Sequence, residues 1–218
     1  MKAKGLFGAS SRQSGTIQLG EDGEYIVKRI EEFVKLNPTN DVLYAWKSLP
    51  PPKQPSLSPL DGTWKLRFTT ASDATFKPGK RGPATTLQIV NATTGIISNV
   101  IDFNENKGKV KGFQVIIEAI PIAPPNPSNR INLIFKRINV DRKSRFLPKI
   151  AITLAPLRLL GSVITKFRRN KREPPYLEVM YLDEDCRIHK TGDGNYFVQT
   201  RLYEAWDPAV GWTLISVT

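Results

Sequence analysis

Leu60-Asp61-Gly62-Thr63-Trp64-Lys65-Leu66-Arg67-Phe68-Thr69-Thr70 is the stretch whose reading decides the fold. Pro59, Asp61 and Gly62 supply turn chemistry, and beyond them Trp64, Leu66 and Phe68 alternate with Lys65, Arg67 and Thr69. A period of two is that of a strand with one buried face. A Trp just after the turn can close one end of a barrel or sandwich, because its ring buries a wide apolar face while the ring N–H still reaches a backbone acceptor.

Downstream, short strand patterns recur over Ala84 to Val90, Gly95 to Phe103, Lys109 to Ile120 and Arg130 to Val140, separated by Asn-, Gly- and Pro-rich turns. The spacing predicts an antiparallel meander. In it Leu87 and Ile89; Ile97, Ile101 and Phe103; Phe113, Val115 and Ile117; and Ile131, Leu133 and Phe135 each share a face. Tyr176 to Leu182, Cys186 to Lys190 and Asn195 to Tyr203 read as two further hairpins, turning at Asp183-Glu184-Asp185 and Thr191-Gly192-Asp193-Gly194. They are placed to close the sheet against the first strand, and closure removes exposed edges. The predicted class is mainly β, an antiparallel barrel with an N-terminal amphipathic helix.

That helix is read over Glu21 to Leu36, with Asp22 as N-cap and Ile26, Ile30, Phe33 and Val34 as its apolar stripe, ending at Asn37-Pro38. Its expected place is across the open end or flank of the barrel. Asp41 to Leu49 reads as a short second helix burying Val42, Leu43 and Trp46, and the prolines from Pro50 to Pro59 as a stiff linker. The division is then 1–20, a disordered tail or transit-peptide remnant; 21–59, helix and linker; 60–204, the barrel; and 205–218, an extension holding Trp206 and Trp212. The Lys-, Gly- and Pro-rich stretch from Phe76 to Pro83 is a long loop.

The 218 residues suffice for one all-β domain with a real core. One cysteine, Cys186, excludes an internal disulfide, and with the single His189 it cannot assemble a zinc site of ordinary spacing. No apolar run reaches the ~20 residues of a spanning helix. The formal charge of +12 is concentrated between Lys136 and Arg172, where Asp141 is the only acid. Within that region Leu157, Leu159 and Leu160 stand near Arg168, Arg169, Lys171 and Arg172. Apolar residues flanked by cations suit an anionic membrane surface; the alternative is a core segment beside a solvated basic face. Prolines 148 and 156 and Gly161 argue against one long helix there. Nucleic-acid binding would rest on charge alone, since the strands lack the aromatic pattern of single-strand binders. His189 shares a period-two face with Asp183, Asp185 and Arg187, yet no paired nucleophile, phosphate loop or dinucleotide fingerprint accompanies it. No catalysis and no cofactor are expected.

Leu60 to Thr70, taken with Tyr-Leu-Asp-Glu-Asp-Cys-Arg-Ile-His-Lys-Thr-Gly-Asp-Gly-Asn-Tyr-Phe-Val at 181–198, resembles the plastid lipid-associated proteins, or plastid fibrillins. Leu36-Asn37-Pro38-Thr39 and the helix before it match the segment that this family places ahead of its first strand, and the resemblance runs from Glu21 to Leu202. Cys186 and Lys190 stand where the family often has Leu and Arg. The resemblance implies a lipocalin-like fold, with Gly62-Thr63-Trp64 at the Gly-X-Trp position and Arg187 or Arg201 over the Trp. It also implies a plastid location at thylakoids or plastoglobules, and association with a prenylquinone, carotenoid or other apolar lipid. A barrel of this size can hold one such ligand among inward side chains. The candidates are Trp64, Leu66, Phe68, Phe103, Val115, Ile117, Leu133, Phe135, Tyr196 and Val198, each of which could equally be plain core. The alternative role is a non-catalytic scaffold that coats lipid bodies or recruits a plastid enzyme.

Overall fold

The computed structural model describes residues 21–44, 46, 58–71, 84–103, 110–122, 129–142, 150–153 and 174–203. The expected tail at 1–20, most of the linker, the loop at 76–83, the apolar and basic segment at 157–172 and the extension with Trp206 and Trp212 lie outside the described residues.

Among the described residues nine strands form one antiparallel sheet: β1 (Gly62–Thr69), β2 (Ala84–Asn91), β3 (Ile96–Phe103), β4 (Val110–Pro121), β5 (Arg130–Arg142), β6 (Ile150–Thr153), β7 (Tyr176–Leu182), β8 (Cys186–Thr191) and β9 (Tyr196–Leu202). Each of β1 to β5 pairs with its chain neighbour, β5 pairs with β7, and β9 returns to β1. The sheet thus closes into a ring, as the hairpins at 176–203 predict. The 13-residue β5 divides one edge between two partners. Arg130, Ile131 and Asn132 pair with β7, whereas Arg137 to Val140 pair with β6.

The core identifies the inner face of the ring. Trp64, Val90, Ile97, Val115, Ile117, Ile131, Ile138, Leu177, Val179 and Leu182 come from six strands and pack into one buried cluster. Only side chains pointing inward can meet in that way. Smaller clusters lie on the outer surface, one of them Leu87 and Val100 with Ile89 and Leu202. Leu87 and Ile89 therefore face outward, because Gln88 between them is the residue that pairs with Trp64.

Helix α1 (Glu21–Phe33) continues into a 3-10 turn at Val34–Leu36. It lies on the flank of the ring, where Ile30, Val27 and Val34 pack on Tyr181, Ile188 and Tyr196. The buried stripe differs from the expected one, since Ile26 is 39% and Phe33 41% exposed. Asn37 then straps the chain to β7, its side-chain oxygen accepting the Leu182 N–H at 2.9 Å. The second helix expected from Asp41 is a turn over its described part. The Asp41 carboxylate accepts the Leu43 N–H at 3.2 Å, and such side-chain capture competes with helix propagation. Val42, Leu43 and Trp46 are nevertheless buried, as their apolar character requires.

Candidate functional site

One end of the ring is sealed. Trp64 is fully buried and donates its ring N–H to the Leu60 carbonyl at 2.9 Å. Trp46 lies in the same cluster with Val42, Leu43 and Leu60, and its N–H reaches the Ala119 carbonyl at 3.3 Å. Two guanidinium groups cover Trp64, with Arg201 4.2 Å and Arg187 4.9 Å from a ring centroid. Cation–π contact of this kind stabilises the closed end. Arg201 is fixed further by hydrogen bonds to the Pro59 carbonyl at 2.8 Å, the Glu184 carbonyl at 2.6 Å and the Asp61 carbonyl. Gly62 makes room for it: φ there is +126°, and a Cβ would stand 2.7 Å from Arg201 Nη1. The glycine of the opening stretch thus serves both backbone conformation and close approach.

Above this floor the walls combine apolar and polar side chains and are unevenly covered. Of the residues expected to face inward, Trp64, Leu66, Phe103, Val115, Ile117, Leu133 and Phe135 do so by strand register. Trp64, Phe103, Val115 and Ile117 are buried, whereas Leu66, Leu133 and Phe135 are only half-buried. Ile101, Val140 and Phe197 share the inner face and are half-buried too.

Phe68, Tyr196 and Val198 depart from the expected inward placement. The register of β1 on β9 shifts between Leu66 and Phe68, so that Leu66 pairs with Gln199 but Phe68 with Val198. One extra residue, Arg67, sends everything beyond it to the opposite face. Phe68, Val198 and Tyr196 consequently pack under helix α1 beside Ile30 and Ile188. Their burial against the helix explains their apolar character.

The inner face also carries a polar row, of which the sequence reading placed only Arg187, over Trp64. Arg187 is buried and donates from Nε to Gln199 Oε1 at 3.0 Å, and from Nη2 to the side-chain oxygens of Gln88 and Gln199. Gln88 in turn donates to Asn99 Oδ1 at 2.8 Å. Burial and the charge of Arg201 bring Arg187 down to about 9, which leaves it cationic at neutral pH. His189 is buried, stacked on Phe197 at 4.9 Å, and bonded to Gln199. Burial and then the nearby Arg187 hold it well below the ordinary imidazole range, so it is neutral. The acid–base pair conceivable from spacing does not form. Asp183 instead accepts from Tyr181 Oη at 2.6 Å and from the backbone of Asp185 and Cys186. Among the described residues no group of His, Cys, Asp and Glu is arranged to hold a metal ion. No described helix is long and apolar enough to cross a membrane.

Comparison with known proteins agrees with this geometry. The PAP_fibrillin family model matches residues 10–200, most of the chain. The chain belongs to the plastid fibrillin family. It is accordingly a plastid lipid-associated protein, in keeping with the resemblance carried by residues 60–70 and 181–198. No curated protein and no solved structure matches it.

Proposed function

We propose that this fibrillin takes up one apolar small molecule, a prenylquinone, carotenoid or other lipid, in the lumen of its strand ring, and that it works without catalysis. The observation that supports this is incomplete cover at particular inward positions, since Phe103, Phe113 and Ile138 farther along the same face are buried. The floor at Leu60, Trp64 and Leu182 is sealed, whereas Leu66, Leu133 and Phe135 on the walls remain half-buried although they point inward. A ring built only for stability would fill that space, because interiors pack to crystal-like density. Family membership supports the lipid class. The protein is then positioned at a thylakoid or plastoglobule surface, with Leu157, Leu159, Leu160, Arg168, Arg169, Lys171 and Arg172 contacting anionic headgroups.

Lipid extraction and mass spectrometry of the protein purified from plastids tests the reading. A near-stoichiometric apolar lipid is expected. Protein that carries none, and that takes up neither a prenylquinone nor a carotenoid when these are added, contradicts it. A structural role coating lipid bodies is the second reading, supported by the apolar Tyr25, Ile26, Phe33 and Leu36 left exposed along the helical segment. Under that reading the same preparation coats lipid droplets but holds no lipid of its own.

A further inference from the structure

The inner face of the ring holds charge of one sign. By strand register Arg142, Arg187 and Arg201 share it, and among the described strand residues no Asp or Glu does. Arg201 is satisfied at the floor by three carbonyl oxygens, and its charge is felt by Asp183. Arg187 differs. It is 2% exposed, its described hydrogen-bond acceptors are the neutral amides of Gln88 and Gln199, and none of the ion pairs among the described residues includes it. A buried cation answered only by neutral groups is costly, and a carboxylate is the partner that offsets such burial best. Two residues along the same strand face, the Nδ1 of His189 is buried with no hydrogen-bond partner. An orphaned buried polar atom beside a cation met only by the neutral amides and the Trp64 ring, both turned into the lumen, marks a place for a polar group that the described residues do not supply.

We propose that Arg187 and His189 form the head-group site of the lumen, and that they select a long-chain carboxylate over a neutral lipid with the same tail. The proposal rests on the lumen reading and adds to it the chemical class of the ligand's polar end. The carboxylate lies against Arg187 at the floor, and the tail runs along Leu66, Leu133 and Phe135 toward the opposite end. Among the described residues the charged group that acts on His189 is Arg187. The strand neighbours of His189 on β7 and β9, Val179 and Phe197, carry no charge. A bound carboxylate therefore reverses the local field: His189 takes up a proton from solvent, and its Nδ1–H donates to the ligand oxygen. Binding is accompanied by uptake of about one proton near neutral pH.

The test uses the full chain, stripped of lipid, with oleate, methyl oleate and a prenylquinone as the added ligands. His189 is the only histidine, so one imidazole signal in an isotope-labelled sample reports its protonation without assignment ambiguity. Oleate is expected to bind about tenfold or more tightly than methyl oleate. The His189 titration is expected to move upward with oleate alone, and Arg187→Met to bring oleate down to the affinity of the ester while Arg187→Lys keeps part of the preference. If Arg187→Met does not fold, the His189 signal and the acid-to-ester ratio in the unaltered protein decide. Equal affinity for acid and ester with an unmoved His189 overturns the head-group site and leaves the lumen standing. Tighter oleate binding with His189 unmoved also overturns it, because the head is then held elsewhere. Failure of all three ligands to bind removes the lumen, and this site with it.

Discussion

Replacing Gly62 by Ala should weaken the protein more than any other one-carbon change in β1. The backbone at Gly62 has φ +126°, a region that side chains with a Cβ rarely enter, and a Cβ there would meet Arg201 Nη1 at 2.7 Å. Holding a non-glycine residue in such a conformation costs about 1–3 kcal/mol. Displacing the guanidinium weakens its hydrogen bonds to the carbonyls of Pro59, Asp61 and Glu184 and its contact with Trp64, for about 1–2 kcal/mol more at a partly exposed group. The sum, about 2–5 kcal/mol, is a large share of the roughly 5–15 kcal/mol typical of a domain. Urea unfolding followed by far-ultraviolet circular dichroism measures it. Repeating Gly62→Ala in an Arg201→Ala background separates the two parts: only the backbone strain should persist, so the second cost should be smaller by about 1–2 kcal/mol. A loss below about 1 kcal/mol, or one that Arg201→Ala leaves unchanged, would refute the account of how the floor is built.

Other consequences concern single side chains. His189 sits well below its ordinary 6.5 in the folded protein, so unfolding takes up a proton; stability is full above about pH 6.5 and falls as pH drops below it, by at most about 1.4 kcal/mol per unit. Urea midpoints between about pH 7.5 and 5.5 should trace that decline, and His189→Gln should flatten it. Burial, and then Asp183 and Asp185, push the Cys186 thiol up to about 11 from 9.0. Iodoacetamide should therefore label the folded protein about a hundredfold more slowly than the unfolded chain at neutral pH, and comparable rates would contradict that environment. Ile30→Ala on α1 should cost about 2–4 kcal/mol in urea unfolding, because Ile30 is 6% exposed and packs on the outer faces of β7, β8 and β9.

The antiparallel ring and its closure were legible because strand period and turn chemistry are local, and the two hairpins from Tyr176 to Leu202 carry both. The clamp over Trp64 was legible too, although through resemblance to a family and not through spacing. What failed was parity. Trp64, Leu66 and Phe68 alternate without a break in the sequence, so nothing there marks the extra residue that turns Phe68 outward. Leu87 and Ile89 share a face as expected, but it is the outer one, buried at Leu87, Val100 and Leu202, while Val90 on the other face enters the core. The polar row was missed for a related reason. Cys186-Arg187-Ile188-His189-Lys190 reads as a short strand with Arg187 and His189 on one face, and nothing local says which face points inward. Helix α1 covers the outside of that strand, which claims Ile188 and Cys186 for the outer cluster and leaves Arg187 and His189 facing the lumen. A helix that packs from more than a hundred positions away in the chain leaves no mark on the local period of β8.

The lumen is tested most directly by nuclear magnetic resonance on the methyl- and ring-labelled protein loaded with an unlabelled lipid, read as contacts between ligand protons and protein side chains. Contacts are predicted to Leu66, Ile101, Leu133 and Phe135 on the inner face, and none to Phe68, Tyr196 or Val198 beneath α1. Ligand contacts confined to the outer set, or absent from both, would contradict the account.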